Sequence, residues 1–151
     1  MRHARVKNPG HAYYHCVNRV IARQMLLGEK EKEYFRKLMR TAEDFCGLKI
    51  LTYAVLTNHW HMLIEVPEHE EISDTELIRR LGLLYSRQKV RVVATLLKEY
   101  RASGDEKNRK RLREKYTYRM GDVSEFMKLI KQRYTEPPSR TGRVSSYAMA
   151  A

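Results

Sequence analysis

The sequence predicts an α+β domain: an antiparallel sheet with helices packed on one face, and a helical insertion after the third strand. Three observations carry this prediction. The first half of the chain orders its patterns as strand, helix, strand, strand, with a tight turn at Thr57-Asn58 between the last two. The helix-like stretches present apolar stripes, so each covers one surface. The segment His59–Val66 alternates strictly, with Trp60, Met62, Ile64 and Val66 on one side and His59, His61, Leu63 and Glu65 on the other. Such a strand buries one face only.

The elements follow in order. Ala12 to Ile21, rich in Tyr, His and Val, reads as the first strand. Gly28 to Cys46 reads as a helix, with Tyr34, Phe35, Leu38, Met39, Ala42, Phe45 and Cys46 on its stripe and Gly47 as its stop. Leu48 to Leu56 is the second strand, and Pro67 ends the third. Ser73-Asp74-Thr75-Glu76 is a capping box that opens a helix carrying Leu77, Ile78, Leu81, Leu84 and Tyr85. A further helix runs through Val90, Val93, Leu96, Leu97 and Tyr100 and stops near Gly104. Asp105 to Tyr118 is helix-compatible and so densely charged that it reads as a solvated face. A second capping box, Asp122 to Glu125, opens a helix with Val123, Phe126, Met127, Ile130 and Tyr134 on one stripe. Residues 1–135 are therefore expected to form one domain, with the insertion at about 71–120, and 136–151 a poorly ordered tail.

Composition narrows the function. The chain has 151 residues, with 30 Lys and Arg against 18 acids and a formal net charge of +12. That excess favours a polyanionic partner through phosphate contacts and counterion release. A ribosome-like or merely soluble basic surface is the plainer alternative. No apolar run approaches the roughly 20 residues of a membrane span. Basic Met1 to Lys7 has no apolar stretch behind it, so no secretory signal is expected. Two cysteines, Cys16 and Cys46, match no zinc spacing and suit a reduced, cytoplasmic setting.

The pair His59 and His61 is the leading chemical feature. Two imidazoles side by side on the polar face of a strand are a geometry for one divalent metal ion. His-x-His pairs also occur on exposed strands with no metal, and two ligands do not complete a site. His15 and Glu65 are weaker candidates near the pair. His15 reads first as a strand histidine satisfied by a backbone carbonyl, and Glu65 first as a solvated group at the strand end, too far to complete the site. Arg19 could contact phosphate or form an ordinary surface ion pair.

Three stretches carry a resemblance. They are Tyr14-His15-Cys16-x-x-Arg19, then Glu33-Tyr34-Phe35, then Leu51-Thr52-Tyr53-Ala54-Val55-Leu56-Thr57-Asn58-His59-Trp60-His61-Met62-Leu63-Ile64. Together they resemble the REP-associated single-tyrosine transposases of the HUH endonuclease superfamily. Met120 to Thr135 resembles the helix that follows a long insertion in one branch of that family. The resemblance covers about residues 1–135 and implies a ferredoxin-like HUH fold. It also implies a transposase that cuts single-stranded DNA beside hairpins. In such a reaction a tyrosine hydroxyl attacks the phosphodiester, and Mg²⁺ or Mn²⁺ held by His59 and His61 polarises the phosphate. Trp60 would anchor the strand from behind, and a homodimer is plausible because related enzymes pair.

The sequence departs from the family where the nucleophile belongs. A segment resembling Tyr-Ile-x-x-Asn-Pro-Val is expected on a later helix, with a further metal ligand one turn beyond it. After Thr135 the chain instead reads EPPSRTGRVSSYAMAA. The expectation is a truncated or frame-shifted copy, impaired in catalysis. Tyr134, beside Lys131 and Arg133, which could bind a phosphate of the nucleic acid, is the stand-in nucleophile to weigh, although its place on an apolar stripe favours a core role. Tyr147 has no motif around it. The competing functions are a non-catalytic hairpin-DNA binder derived from such a transposase and a small RNA-associated basic protein.

Overall fold

The computed structural model describes residues 10–19, 28–56 and 58–135. Strands β1 (Ala12–Arg19), β2 (Lys49–Val55) and β3 (His59–Val66) form one antiparallel sheet in the order β1-β3-β2. This is the α+β class the sequence predicts. Val20 and Ile21 of the first expected strand, Thr57 of the turn, the tail 136–151 with Tyr147, and the basic N-terminus lie outside the described residues.

β3 is central because it offers the most regular apolar face. Trp60, Met62, Ile64 and Val66 are all buried, while the residues between them are half-exposed. β1 pairs with it along its length, from Ala12 opposite Val66 to Arg19 opposite His59. β2 pairs from Lys49 opposite Glu65 to Val55 opposite Trp60, with a register shift between Ile50 and Thr52. That irregularity leaves two consecutive residues, Leu51 and Thr52, exposed, which simple alternation forbids.

The helices are α1 (Glu29–Cys46), α2 (Asp74–Leu81), α3 (Arg87–Ser103), α4 (Glu106–Thr117) and α5 (Val123–Thr135). α1 and α5 pack together against the sheet's apolar face. Phe35, Met39 and Phe45 of α1 meet Trp60, Met62 and Ile64 of β3 and Phe126, Leu129 and Ile130 of α5 in one core. Gly47, at φ 66°, closes α1 in the left-handed conformation that glycine adopts without a Cβ clash. The Gly121 N–H donates to the Cys46 carbonyl at 2.7 Å, tying the entry of α5 to the end of α1.

Both capping boxes form their caps. Ser73 Oγ accepts from the Glu76 N–H at 3.1 Å. Asp122 Oδ1 accepts from the N–H groups of Ser124 and Glu125 at 2.8 and 3.0 Å. Three expectations are corrected. α2 stops at Leu81, and Leu84 and Tyr85 fall in the turn after Gly82, because Ser86 caps a new helix by accepting from the Lys89 N–H. Tyr34 is exposed at the edge of its stripe, where its hydroxyl donates to the Arg133 carbonyl at 3.2 Å.

The third correction concerns the charged helix α4, which is not simply a solvated face. Arg113 is buried and donates to Asp74 and to the Ile72 carbonyl, and Arg109 donates to Asp74 from Nε and Nη2 at 3.1 and 2.9 Å. Two arginines of α4 thus clamp the first residue of α2. Burial pushes the Asp74 carboxyl up, but the hydrogen bonds from Arg109 and Arg113 outweigh it and hold the group below the usual carboxylate range. Cys16 and Cys46 are free and buried, and burial pushes the Cys46 thiol up to about 12. Among the described residues, no helix is long and apolar enough to cross a membrane.

Candidate functional site

β3 presents its histidines because Trp60, between them, is committed to the core. The Trp60 and Phe35 ring centroids lie 5.5 Å apart beneath the sheet. That contact fixes the strand's facing, so the flanking side chains must emerge on the side away from the helices. The His59 and His61 rings share this open face, with centroids 5.0 Å apart and planes at 75°. In the ladder His61 lies between Val17 of β1 and Ala54 of β2, and the small Ala54 leaves one flank of the ring uncrowded.

Each ring has a specific neighbour. His59 Nδ1 lies 2.6 Å from Asn58 Oδ1, and His61 Nδ1 lies 3.2 Å from His15 Nε2. His15 stands opposite Leu63 and so reaches His61 on the diagonal of the ladder. Its partner is therefore another imidazole, not the backbone carbonyl weighed from sequence. Glu65 is not a solvated group. It accepts from His11 Nε2 at 2.8 Å, with Lys49 Nζ at 3.7 Å, and its side chain is only 15% exposed. Its carboxylate is thus engaged by His11 and Lys49.

Arg19 stands directly opposite His59 at the described end of β1 and is exposed. It joins the histidine face. The other basic residues singled out from sequence do not. Lys131 and Arg133 are on α5, the helix that packs with α1 on the other side of the sheet. Arg133 Nη2 donates to the Leu84 carbonyl at 3.1 Å. Tyr134 is also on the helical side: its ring meets Phe35 edge-on at 5.5 Å, and only 9% of the residue is exposed. Its buried hydroxyl finds no hydrogen-bond partner among the described residues, and burial raises its pKa. The structure therefore groups His59, His61 and Arg19 and separates Tyr134, Lys131 and Arg133 from them.

Sequence reasoning missed Asn58 as a contact of His59 and His11 as the partner of Glu65. The signal for His11 was present, since it immediately precedes β1 and shares the parity of His15. Asn58 reads as a turn residue, and only coordinates place its amide on a ring nitrogen.

Among the described residues, no group of three or more His, Cys, Asp or Glu side chains is arranged to hold a metal ion. Two neutral imidazoles on an open face do fit an unfinished coordination sphere, in which oxygen ligands from substrate and water fill the remaining positions. Surrounding exposure is mixed: Tyr13 and Val17 of β1 and Leu51 of β2 are large hydrophobics open to solvent.

Among known protein families, residues 10–105 match the one described as Transposase IS200 like, which is more than half of the chain. No curated protein matches, and neither does a solved structure. With its alternating histidine strand inside the matched region, the chain belongs to the IS200-like transposase family.

Proposed function

We propose that the chain acts on single-stranded DNA at hairpin-forming sites as an endonuclease and strand transferase, with His59 and His61 as ligands of one Mg²⁺ or Mn²⁺. The observation that carries this reading is the pair of imidazoles sharing the sheet's open face. When bound, the ion would polarise the scissile phosphate and steady the leaving 3′-oxygen. The chain's own residues do the positioning. His59 and His61 are neutral ligands, so they leave the ion its full positive charge toward phosphate oxygens. Arg19, opposite His59, adds a guanidinium that pairs with a phosphate of the same strand. Trp60 holds both rings at fixed height by anchoring β3 in the core.

Charge elsewhere supports a nucleic-acid partner. Between Ser86 and Arg119 twelve lysines and arginines face four acids. Arg87, Arg91 and Lys98 on α3, and Lys107 and Arg111 on α4, are exposed at helical spacings that align them in stripes. A homodimer is part of the same reading, since exposed Tyr13, Val17 and Leu51 give the open face apolar surface to cover. A cytoplasmic setting suits the two free, buried thiols.

The nucleophile in this reading is a tyrosine hydroxyl. Its oxygen bonds to phosphorus, the bond from phosphorus to O3′ breaks, and the products are a 5′-phosphotyrosine and a free 3′-hydroxyl. Tyr134 is buried on the far side of the sheet. Cleavage by the described residues alone is therefore expected to be impaired. That burial favours a second reading, a non-catalytic hairpin-DNA binder derived from such a transposase. Incubation with end-labelled hairpin-tipped single-stranded DNA and Mn²⁺ separates the two. A covalent protein–DNA adduct lost in His59→Ala supports the enzyme. Salt-steep binding without an adduct supports the binder. Tyr134→Phe should leave any adduct undiminished.

A further inference from the structure

We infer that Asn58 and His15 are positioning residues that hold His59 and His61 in the Nδ1-protonated tautomer, leaving both Nε2 lone pairs for one shared ligand. The identity of that ligand as a divalent cation rests on the reading just given, as does the choice of His61 over His15 as donor; the His59 tautomer stands on its contact with Asn58.

A neutral imidazole has one N–H and one lone pair, and a cation takes the lone pair. The bond made by one ring nitrogen therefore decides what the other can do. At His59 the partner is an amide oxygen, Asn58 Oδ1, 2.6 Å from Nδ1. An amide oxygen only accepts, so Nδ1 carries the proton and Nε2 the lone pair. Asn58 is the residue immediately before β3, so the support is built into the strand's entry.

At His61 the partner is His15 Nε2, 3.2 Å from Nδ1. The two ring centroids are 5.3 Å apart and the planes differ by 14°. The facing nitrogens are closer than the centroids by about two ring radii, so both lie near the centroid line and point at each other. Lone pairs converging on a common ion would be aimed at a third point instead. The in-line arrangement is an N–H···N hydrogen bond, which makes His15 a support for His61 and not a third ligand. With His61 as donor, His61 matches His59 and both present Nε2. With His15 as donor, His61 would have no lone pair to give.

Long-range ¹H–¹⁵N NMR of the ion-free full chain reads the tautomers directly. The expected spectrum has unprotonated Nε2 at both His59 and His61. Replacing His15 by Phe should move His61 toward the Nε2–H form and weaken binding of Mn²⁺, supplied as the chloride, by about tenfold or more. His15→Gln, which keeps an acceptor oxygen, should restore most of that loss and thereby exclude simple unfolding. Asn58→Leu and Asn58→Asp should behave in the same way at His59. An Nε2–H tautomer at either histidine of the unaltered protein would overturn the inference, as would undiminished Mn²⁺ binding in His15→Phe. Should the expected tautomers appear while the unaltered protein takes up no Mn²⁺, the inference stands and the metal reading fails.

Discussion

The two faces of β3 are written in one eight-residue strand and do opposite work. Trp60, Met62, Ile64 and Val66 lie under α1 and α5 with almost no exposure. His59, His61, Leu63 and Glu65 lie between them in sequence and stay half-exposed on the other side. A period of two makes the arrangement possible, because every residue committed to the core fixes the direction of its neighbours. The site is held from behind. The indole pins the strand that bears the histidines, and Asn58 and His15 then set only how each ring is turned.

Substitutions on the two faces should differ in their cost. Trp60→Ala should have the largest effect, a loss of about 3–5 kcal/mol of stability in denaturant unfolding, since it removes a fully buried ring. Asp74→Ala comes next. It takes from the buried Arg113 the nearer of its two carboxylates and leaves only the exposed Glu71 at 3.9 Å, at a cost of about 3 kcal/mol in the same measurement.

Asp74 also gives the fold an acid limb. Its carboxyl is held below the usual range in the folded state, so its stabilisation is complete above the unfolded value of about 4 and is lost as pH falls through the lower folded value. Glu76, pushed down to about 2 by hydrogen bonds from Arg79 and Arg80, acts in the same direction. Thermal midpoints should therefore hold between pH 6 and 5 and decline below about pH 4. Asp74→Asn should flatten that decline.

The open face should respond differently. His59→Ala and His61→Ala should change stability by less than about 1 kcal/mol, because neither ring fills the core. A larger loss would mean that the two faces are not separable. Arg19→Ala should be mildest, leaving the fold unchanged and lowering by about one the slope of log affinity for DNA against log salt. A titration series at several salt concentrations measures that slope.

Much of this contrast was legible in the chain before any coordinates. Alternation in β3, the stripe of α1, the stop at Gly47 and both capping boxes are local signals, and local physics sets them. The illegible parts depend on distance. Arg109 and Arg113 look like solvent-facing charges until α4 folds back on Asp74, 35 and 39 residues away. His15 meets His61 only because the β1–β3 register sets them on a diagonal. The end of α2 at Leu81 was hidden because Leu84 and Tyr85 continue its apolar spacing past the break at Gly82 and Ser86. Glu65 reads as a free strand-end carboxylate until β1 and β2 bring His11 and Lys49 to it.

Mn²⁺ titration followed by electron paramagnetic resonance reads the histidine pair itself. The unaltered chain should take up one ion saturably, and both His59→Ala and His61→Ala should lose that uptake while their thermal midpoints stay near the parent's. Equal uptake by all three proteins, or none by any, would contradict the pair's role as metal ligands.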